Sequence, residues 1–250
     1  MKSKSLVRTL QMMQNNLNEP AGILLVNKPK GKTSFSLVAM LRRILKVKKI
    51  GHAGTLDPFA TGVMVMLIGK QYTRMSDQFL CQDKEYIAKV HLGVTTDTYD
   101  IEGQILETSN FIPSLENVKN AIEKFQGFIL QVPPMFSAKK VKGKKLYELA
   151  RNGITIERSA REVHVKISML SYEYPHLDIH VSCSKGTYIR SLAYDIGQHL
   201  GCGAHLAALQ RTRSGSFILE KCIDGALLQN PSEELNIAAH LIQDASALSL

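Results

Sequence analysis

The sequence predicts an α+β fold, a mixed and largely antiparallel sheet flanked by helices. Three observations carry this. Segments with strand and helix periodicity alternate along the 250 residues, neighbouring strands are joined by short turns as often as by helices, and no low-complexity linker divides the chain. At this length a hydrophobic core needs no crosslinks. The four cysteines, Cys81, Cys183, Cys202 and Cys222, lie far apart with no CxxC pair, and read as incidental or buried thiols of a reducing cytosol.

Residues 1–20 carry three basic residues and no continuous apolar stretch, and read as an arm. GILLV at 22–26 is a buried strand ended by the Lys28-Pro29 turn. Thr33 or Ser34 caps a helix with Val38, Leu41 and Leu45 on one face and Arg42, Arg43 and Lys46 on the other. VMVMLI at 63–68 is a continuous apolar run suited to a central strand, and YIAKVHL at 86–92 alternates with period two. Leu115, Val118, Ile122 and Phe125 mark a helix with Gly127 just beyond it as a stop. LYELARNG at 146–153 reads as a further helix, VHVKISM at 163–169 and LDIHVSC at 177–183 as strands. SKGTY then opens a helix that buries Ile189, Leu192, Ala193 and Ile196.

Lys and Arg number 31 against 22 Asp and Glu, a formal charge of +9 with a pI near 9.3. The basic residues cluster in KPKGK at 28–32, across 42–49, and in KKVKGKK at 139–145. A short lysine run is often only a solvated face, but three in one protein point to a polyanionic partner such as nucleic acid. Eighteen consecutive apolar residues occur nowhere, so a soluble, cytoplasmic protein with no membrane association is expected.

Several common chemistries are excluded by motif. Gly-Lys-Thr at 31–33 resembles the end of a phosphate-binding loop, but the required earlier glycine is Val26. GxSxG, HExxH and GxGxxG do not occur. His52 has no second histidine at ligand spacing and reads as a hydrogen-bonding group, so no metal is expected. The stretch GHAGTLDPFATG at 51–62 surrounds one acid, Asp57, with Gly51, Gly54 and Gly62 for close backbone approach and positive φ, and with Pro58 to fix the chain. Asp-Pro is also a frequent turn initiator, so the loop alone leaves a structural and a catalytic reading open. Downstream, SKGTYIR at 184–190 sets Tyr188 and Arg190 two residues apart, an aromatic surface and a fixed cation for a carboxylate.

The ordered set KPKGKTS (28–34), GHAGTLDPFATGVM (51–64), KEYIAKVHLG (84–93), TTDTYDIEG (95–103), QVPPMFSAKKVKGKKLYELAR (131–151), CSKGTYIRSLAYDIG (183–197) and LQRTRSGSF (209–217) resembles the bacterial TruB-type tRNA pseudouridine 55 synthases over residues 21–228. The resemblance implies the pseudouridine synthase fold with a central RNA-binding cleft. It implies isomerisation of uridine 55 in the T-loop of tRNA, without metal or organic cofactor and without an obligatory protein partner, by a monomer. By resemblance Asp57 is the nucleophile, His52 aids T-loop binding, and Tyr86 stacks on the target base. Tyr188 is a second pocket tyrosine, Arg190 pairs with the aspartate, Leu209 touches the base, and Lys28 is a supporting basic residue. It also implies a thumb-like insert around 113–160. Many bacterial members carry a C-terminal PUA-type RNA-binding domain, whereas residues 229–250 are expected to be a short tail, with that domain missing or reduced and the basic insert supplying more of the grip.

The residue types suit the reaction. A uridine that must be detached, rotated and reattached has to leave its stack, which costs a few kcal/mol, and an aromatic side chain returns about 1–3 kcal/mol per base. A carboxylate can attack C1′ or C6, or take a proton at C2′, and must be ionised in each role. An aspartate in water is already ionised at neutral pH, so Arg190 would serve to offset desolvation and to aim the carboxylate. A non-catalytic RNA-binding or tRNA-folding protein on the same scaffold is the alternative reading.

Overall fold

The computed structural model describes residues 19–137, 140–141, 144–145, 150, 153–154, 156–231 and 236–243. In chain order the first elements are strand β1 (Gly22–Lys28), helix α1 (Ser34–Leu45), β2 (Ile50–Ala53), β3 (Thr61–Ile68), and short helices α2 (Lys70–Thr73) and α3 (Ser76–Leu80). The middle holds β4 (Lys84–Leu92), β5 (Val94–Thr96), β6 (Ile105–Thr108), α4 (Leu115–Lys124), β7 (Gly127–Gln131), β8 (Lys140–Val141) and β9 (Lys144–Lys145). Then follow β10 (Arg161–Glu173), β11 (His176–Cys183), α5 (Ile189–Leu200), β12 (Ala204–Ser214), β13 (Phe217–Ile218) and β14 (Ile223–Asp224). Two compact units result. One comprises the chain up to Pro58, Gly62–Cys81 and the chain from Ser216 onward; the other comprises Phe59–Thr61 and Gln82–Gly215.

In the first unit β3 lies between β1 and β2, antiparallel to both, and β14 runs parallel to β1. Val63 through Ile68 are all buried, which explains the unbroken apolar run: with neighbours on both edges and side chains covered on both faces, the strand has no solvent side. Ile23, Leu25, Val63, Val65, Leu67, Tyr72, Phe79 and Phe217 form one of its cores. Thr33 is the cap of α1, its hydroxyl accepting from Ser36 N at 3.0 Å. Leu37, Val38 and Leu41 are buried, whereas Leu45, expected on the same face, is only partly covered because it sits in the last turn. Residues beyond 228 do not simply trail away: Ile242 exchanges two backbone hydrogen bonds with Ile23, at 2.9 and 2.8 Å.

In the second unit the strand order is β12-β4-β11-β10-β7, antiparallel throughout. Tyr86, Ala88, Val90 and Leu92 are buried on β4 while Ile87 and Lys89 are exposed, as the period-two pattern requires. Helix α5 packs on β12 and β4 through Ile189, Leu192, Ala193 and Ile196, and α4 packs on α5 and β10 through Val118, Ala121 and Ile122. Leu115 belongs to the periodic set of α4 but lies in its first turn and is exposed. The expected helix at 146–153 falls, apart from Ala150 and Gly153, outside the described residues, as do residues 1–18 of the expected arm and residues 139, 142 and 143 of the basic insert at 139–145. Among the described residues no helix is long and apolar enough to cross a membrane.

Gly197 sets the depth at which α5 meets β12. A Cβ there would stand 2.3 Å from Ala204 N and 2.5 Å from Gly203 C, backbone that no side-chain rotation relieves. Gly197→Ala is expected to cost about 1–3 kcal/mol or more, read as a lowered midpoint in urea unfolding with an unchanged slope.

Candidate active-site residues in two units

The first unit holds Asp57, His52 and Lys28. Asp57 is half-buried between two residues whose backbones are pinned. Before it, Leu56 N donates to Ser34 Oγ at 2.9 Å and Leu56 O accepts from the same hydroxyl at 3.0 Å. After it, Pro58 O accepts from Gly31 N at 2.8 Å and from Lys28 Nζ at 3.1 Å. Lys28 is fully buried and its ammonium also donates to the carbonyls of Lys32 at 2.7 Å and Pro29 at 3.1 Å. The KPKGKTS stretch is therefore the splint of the Asp57 loop, a role the sequence showed only as a supporting cation. Gly54 and Gly62 have φ of +85° and +105°, as the loop demands. Gly51 is different: it has no positive φ, and a Cβ there would make ordinary contact with Thr73 at 3.5 Å. His52 lies half-buried on β2, opposite Met66.

The second unit holds Tyr86, Leu209, Tyr188 and Arg190. Tyr86 and Leu209 are each 8% exposed, and their ladder partners, Arg211 and Ala88, make them diagonal neighbours on one sheet face. Arg211, 1% exposed and directly opposite Tyr86, was not singled out from sequence; LQRTRSGSF offers two arginines and no sign of which turns inward. Tyr188 caps α5 and is clamped through its backbone, its N–H donating to Gln131 Oε1 at 2.7 Å and its carbonyl accepting from Gln131 Nε2 at 3.0 Å. A single buried amide thus fixes the entry of the chain into α5.

Arg190 is buried in the first turn of α5, and its guanidinium ties two remote segments to that helix. Nη1 donates to Asp100 Oδ2 at 2.9 Å and to Thr98 O at 3.2 Å, and Nη2 donates to Phe136 O at 2.6 Å. Asp100 completes its own shell with Thr98 Oγ1 at 2.7 Å and Glu102 N at 3.0 Å on Oδ1. Within this unit Arg190 is thus ion-paired with Asp100, a carboxylate that sequence reasoning did not single out. TTDTYDIEG contains Asp97, Asp100 and Glu102, and spacing did not reveal which one points inward. Preceding it, Tyr99 takes φ of +63°, an uncommon conformation for a non-glycine residue, and stacks on Tyr194 of α5 at 4.0 Å.

The same helix carries Asp195, whose carboxyl burial pushes up to about 6. A raised carboxyl favours the folded state while protonated, so stability is lost as pH rises from about 4 through 6. Asp195→Asn should flatten this segment of the thermal midpoint against pH curve, with the variant gaining on the wild type above pH 6. Asp100→Asn leaves the Arg190 guanidinium buried without its charge partner and is expected to cost about 3–5 kcal/mol, measurable by chemical denaturation. Glu at position 100 should not rescue it, since a longer side chain cannot keep both the Thr98 and Arg190 bonds.

Among the described residues no group of three or more His, Cys, Asp or Glu could hold a metal ion.

Comparison with known proteins agrees with the motif order. The model of the TruB family pseudouridylate synthase N-terminal domain matches residues 42–189, and that of the tRNA pseudouridylate synthase B C-terminal domain matches 190–243. The tRNA pseudouridine synthase B of Protochlamydia amoebophila (strain UWE25) is 61% identical over 240 residues, 96% of this chain and 89% of that protein. The protein of the same name from Chlamydia trachomatis serovar L2 is 58% identical over 229 residues, covering 92% and 94%. Among solved structures, a chain of a Cbf5-Nop10-Gar1 complex superposes with a TM-score of 0.68 at 29% identity, covering 92% of this chain and 62% of that one. A chain of an H/ACA RNP bound to a substrate RNA containing 2′-deoxyuridine gives 0.65 at 28%, covering 92% and 61%, so the chain spans about six-tenths of both. With a family model covering more than half of its residues and relatives near 60% identity along almost its whole length, the chain belongs to the TruB family of pseudouridylate synthases.

Proposed function

We propose that this protein isomerises uridine to pseudouridine in tRNA, at position 55 of the T-loop, with Asp57 as the catalytic carboxylate. In the reaction the N1–C1′ bond breaks, the base turns, and a C5–C1′ bond forms. A proton leaves C5 and N1 gains one, so the product is an isomer of the substrate. Two demands follow, a base lifted from its stack and a carboxylate held in register with the sugar. The observation that carries the reading is the immobilised Asp57 loop. With Leu56 and Pro58 both fixed by side-chain and backbone hydrogen bonds, the carboxylate needs little further ordering when substrate arrives. Relatives named tRNA pseudouridine synthase B at 58–61% identity support the substrate class.

In this reading Tyr86 receives the flipped base and Leu209, its neighbour on the sheet face, lines the apolar side. Tyr188 forms a second wall, and His52 and Lys28 support the loop that meets the RNA. Arg190 offsets the desolvation of Asp57 once the pocket closes, with Asp100 holding the guanidinium at its post. The tRNA is gripped by its T-arm, and the enzyme acts as a cytoplasmic monomer whose catalytic residues all fall within 21–228, with the insert around 113–160 as a thumb.

Incubation of an unmodified tRNA transcript with wild type and with Asp57→Asn, followed by mapping of pseudouridine, tests the assignment. Wild type should modify the T-loop uridine, and the variant should lose about 10²–10⁴-fold or more of the rate while still binding the transcript. Equal product from both would remove Asp57 from the chemistry, and none from the wild type would favour the binding-only reading.

A further inference from the structure

Between Glu19 and Asp57 the chain contains no acidic residue, yet residues 20–56 include eight Lys and Arg. Lys28 is the buried splint described above; the other seven are Lys30, Lys32, Arg42, Arg43, Lys46, Lys48 and Lys49. On α1 the outward positions Phe35, Ala39, Arg42 and Arg43 recur every three or four residues, and Lys46, its C-cap, with Lys48 and Lys49 extends the exposed series into the turn before β2. Phe35 is 64% exposed, with the Arg42 guanidinium 5.9 Å from its ring centroid. The two arginines direct single donors to neutral carbonyls, Arg42 to Ile50 O at 3.0 Å and Arg43 to Gln229 O at 3.4 Å. Among the described residues none of Arg42, Arg43, Lys46, Lys48 and Lys49 is in an ion pair.

Helix-end electrostatics accounts for part of this, since cations are favoured in a last turn. It accounts for Arg42 and Arg43 but not for Lys48 and Lys49, which lie past the helix, nor for an exposed aromatic set among the cations. A series of like charges without counter-charges destabilises its own unit by repulsion, and a polyanion relieves that repulsion.

We infer that the outer face of α1, with the turn that follows it, binds the phosphate backbone of the RNA strand flanking the nucleotide presented to Asp57. The inference rests on the function proposed above. Its physical basis is attachment: Ser34, at the first turn of α1, holds Leu56 beside Asp57, so the helix and the carboxylate are one rigid piece. From Ser34 the 12 residues of α1 extend about 18 Å. That is far enough to meet a run of consecutive phosphates beyond the loop that is being modified. The contact supplies affinity and register without reading sequence.

The test measures binding rather than turnover, with an unmodified tRNA transcript titrated at several salt concentrations. The variant K46Q/K48Q/K49Q leaves the hydrogen-bonded arginines intact, and its thermal midpoint verifies folding. It should weaken binding about tenfold or more near physiological salt and make the plot of log K against log salt shallower by up to about 2–3. As control, K166Q/K221Q neutralises two exposed lysines outside the thumb and should leave the slope at the wild-type value. A triple variant with the wild-type slope, or a control that flattens it as much per charge removed, would overturn the inference. Failure of the isomerase reading shows separately, as absence of product from a wild type whose salt slope still depends on these lysines.

Discussion

The second unit is organised around one buried charge. A guanidinium cannot shed its proton, so once Arg190 is carried inside by the first turn of α5 the rest of the unit has to supply acceptors. It does so from three places: the carboxylate of Asp100, the carbonyl of Thr98 and the carbonyl of Phe136. These acceptors lie 90, 92 and 54 residues away in sequence, in two segments that nothing in their local patterning requires to meet. The uncommon backbone of Tyr99 and its stack on Tyr194 are consistent with a loop shaped by that demand rather than by its own propensity.

A similar logic operates in the first unit with backbone groups in place of charges. The Asp57 loop has too few residues to satisfy its own carbonyls, and KPKGKTS provides the missing donors through Lys28, Gly31 and Ser34. One short segment thereby stabilises the loop and begins α1. Rigidity at the carboxylate and the placement of the basic helix are consequences of the same hydrogen bonds. The same bonds hold a single acid in a fixed position beside a helix whose outer face carries exposed cations.

The buried and exposed polar groups divide along the same lines. Lys28, Asp100 and Arg190 are buried and their hydrogen bonds fix geometry. The cations of α1 and of the turn after it are exposed and, among the described residues, not paired with acids. Composition registers only the sum, a charge of +9, and cannot separate the two classes.

What the sequence determined by itself was whatever depends on local periodicity and motif order. β3 was legible because a strand covered on both faces must be continuously apolar, β4 because one covered face enforces alternation, and the family because seven motifs occur in order. Asp57 stood out because glycine and proline leave a backbone signature. What only the tertiary structure decided was which polar groups face each other. Spacing could not choose Asp100 over Asp97 or Glu102, Arg211 over Arg213, or assign Gln131 to the backbone of Tyr188, since each pairing is made by chain segments brought together from afar. Hydrophobic pattern has a period that a single strand or helix can display, whereas a buried hydrogen bond is satisfied by a partner whose distance along the chain is arbitrary.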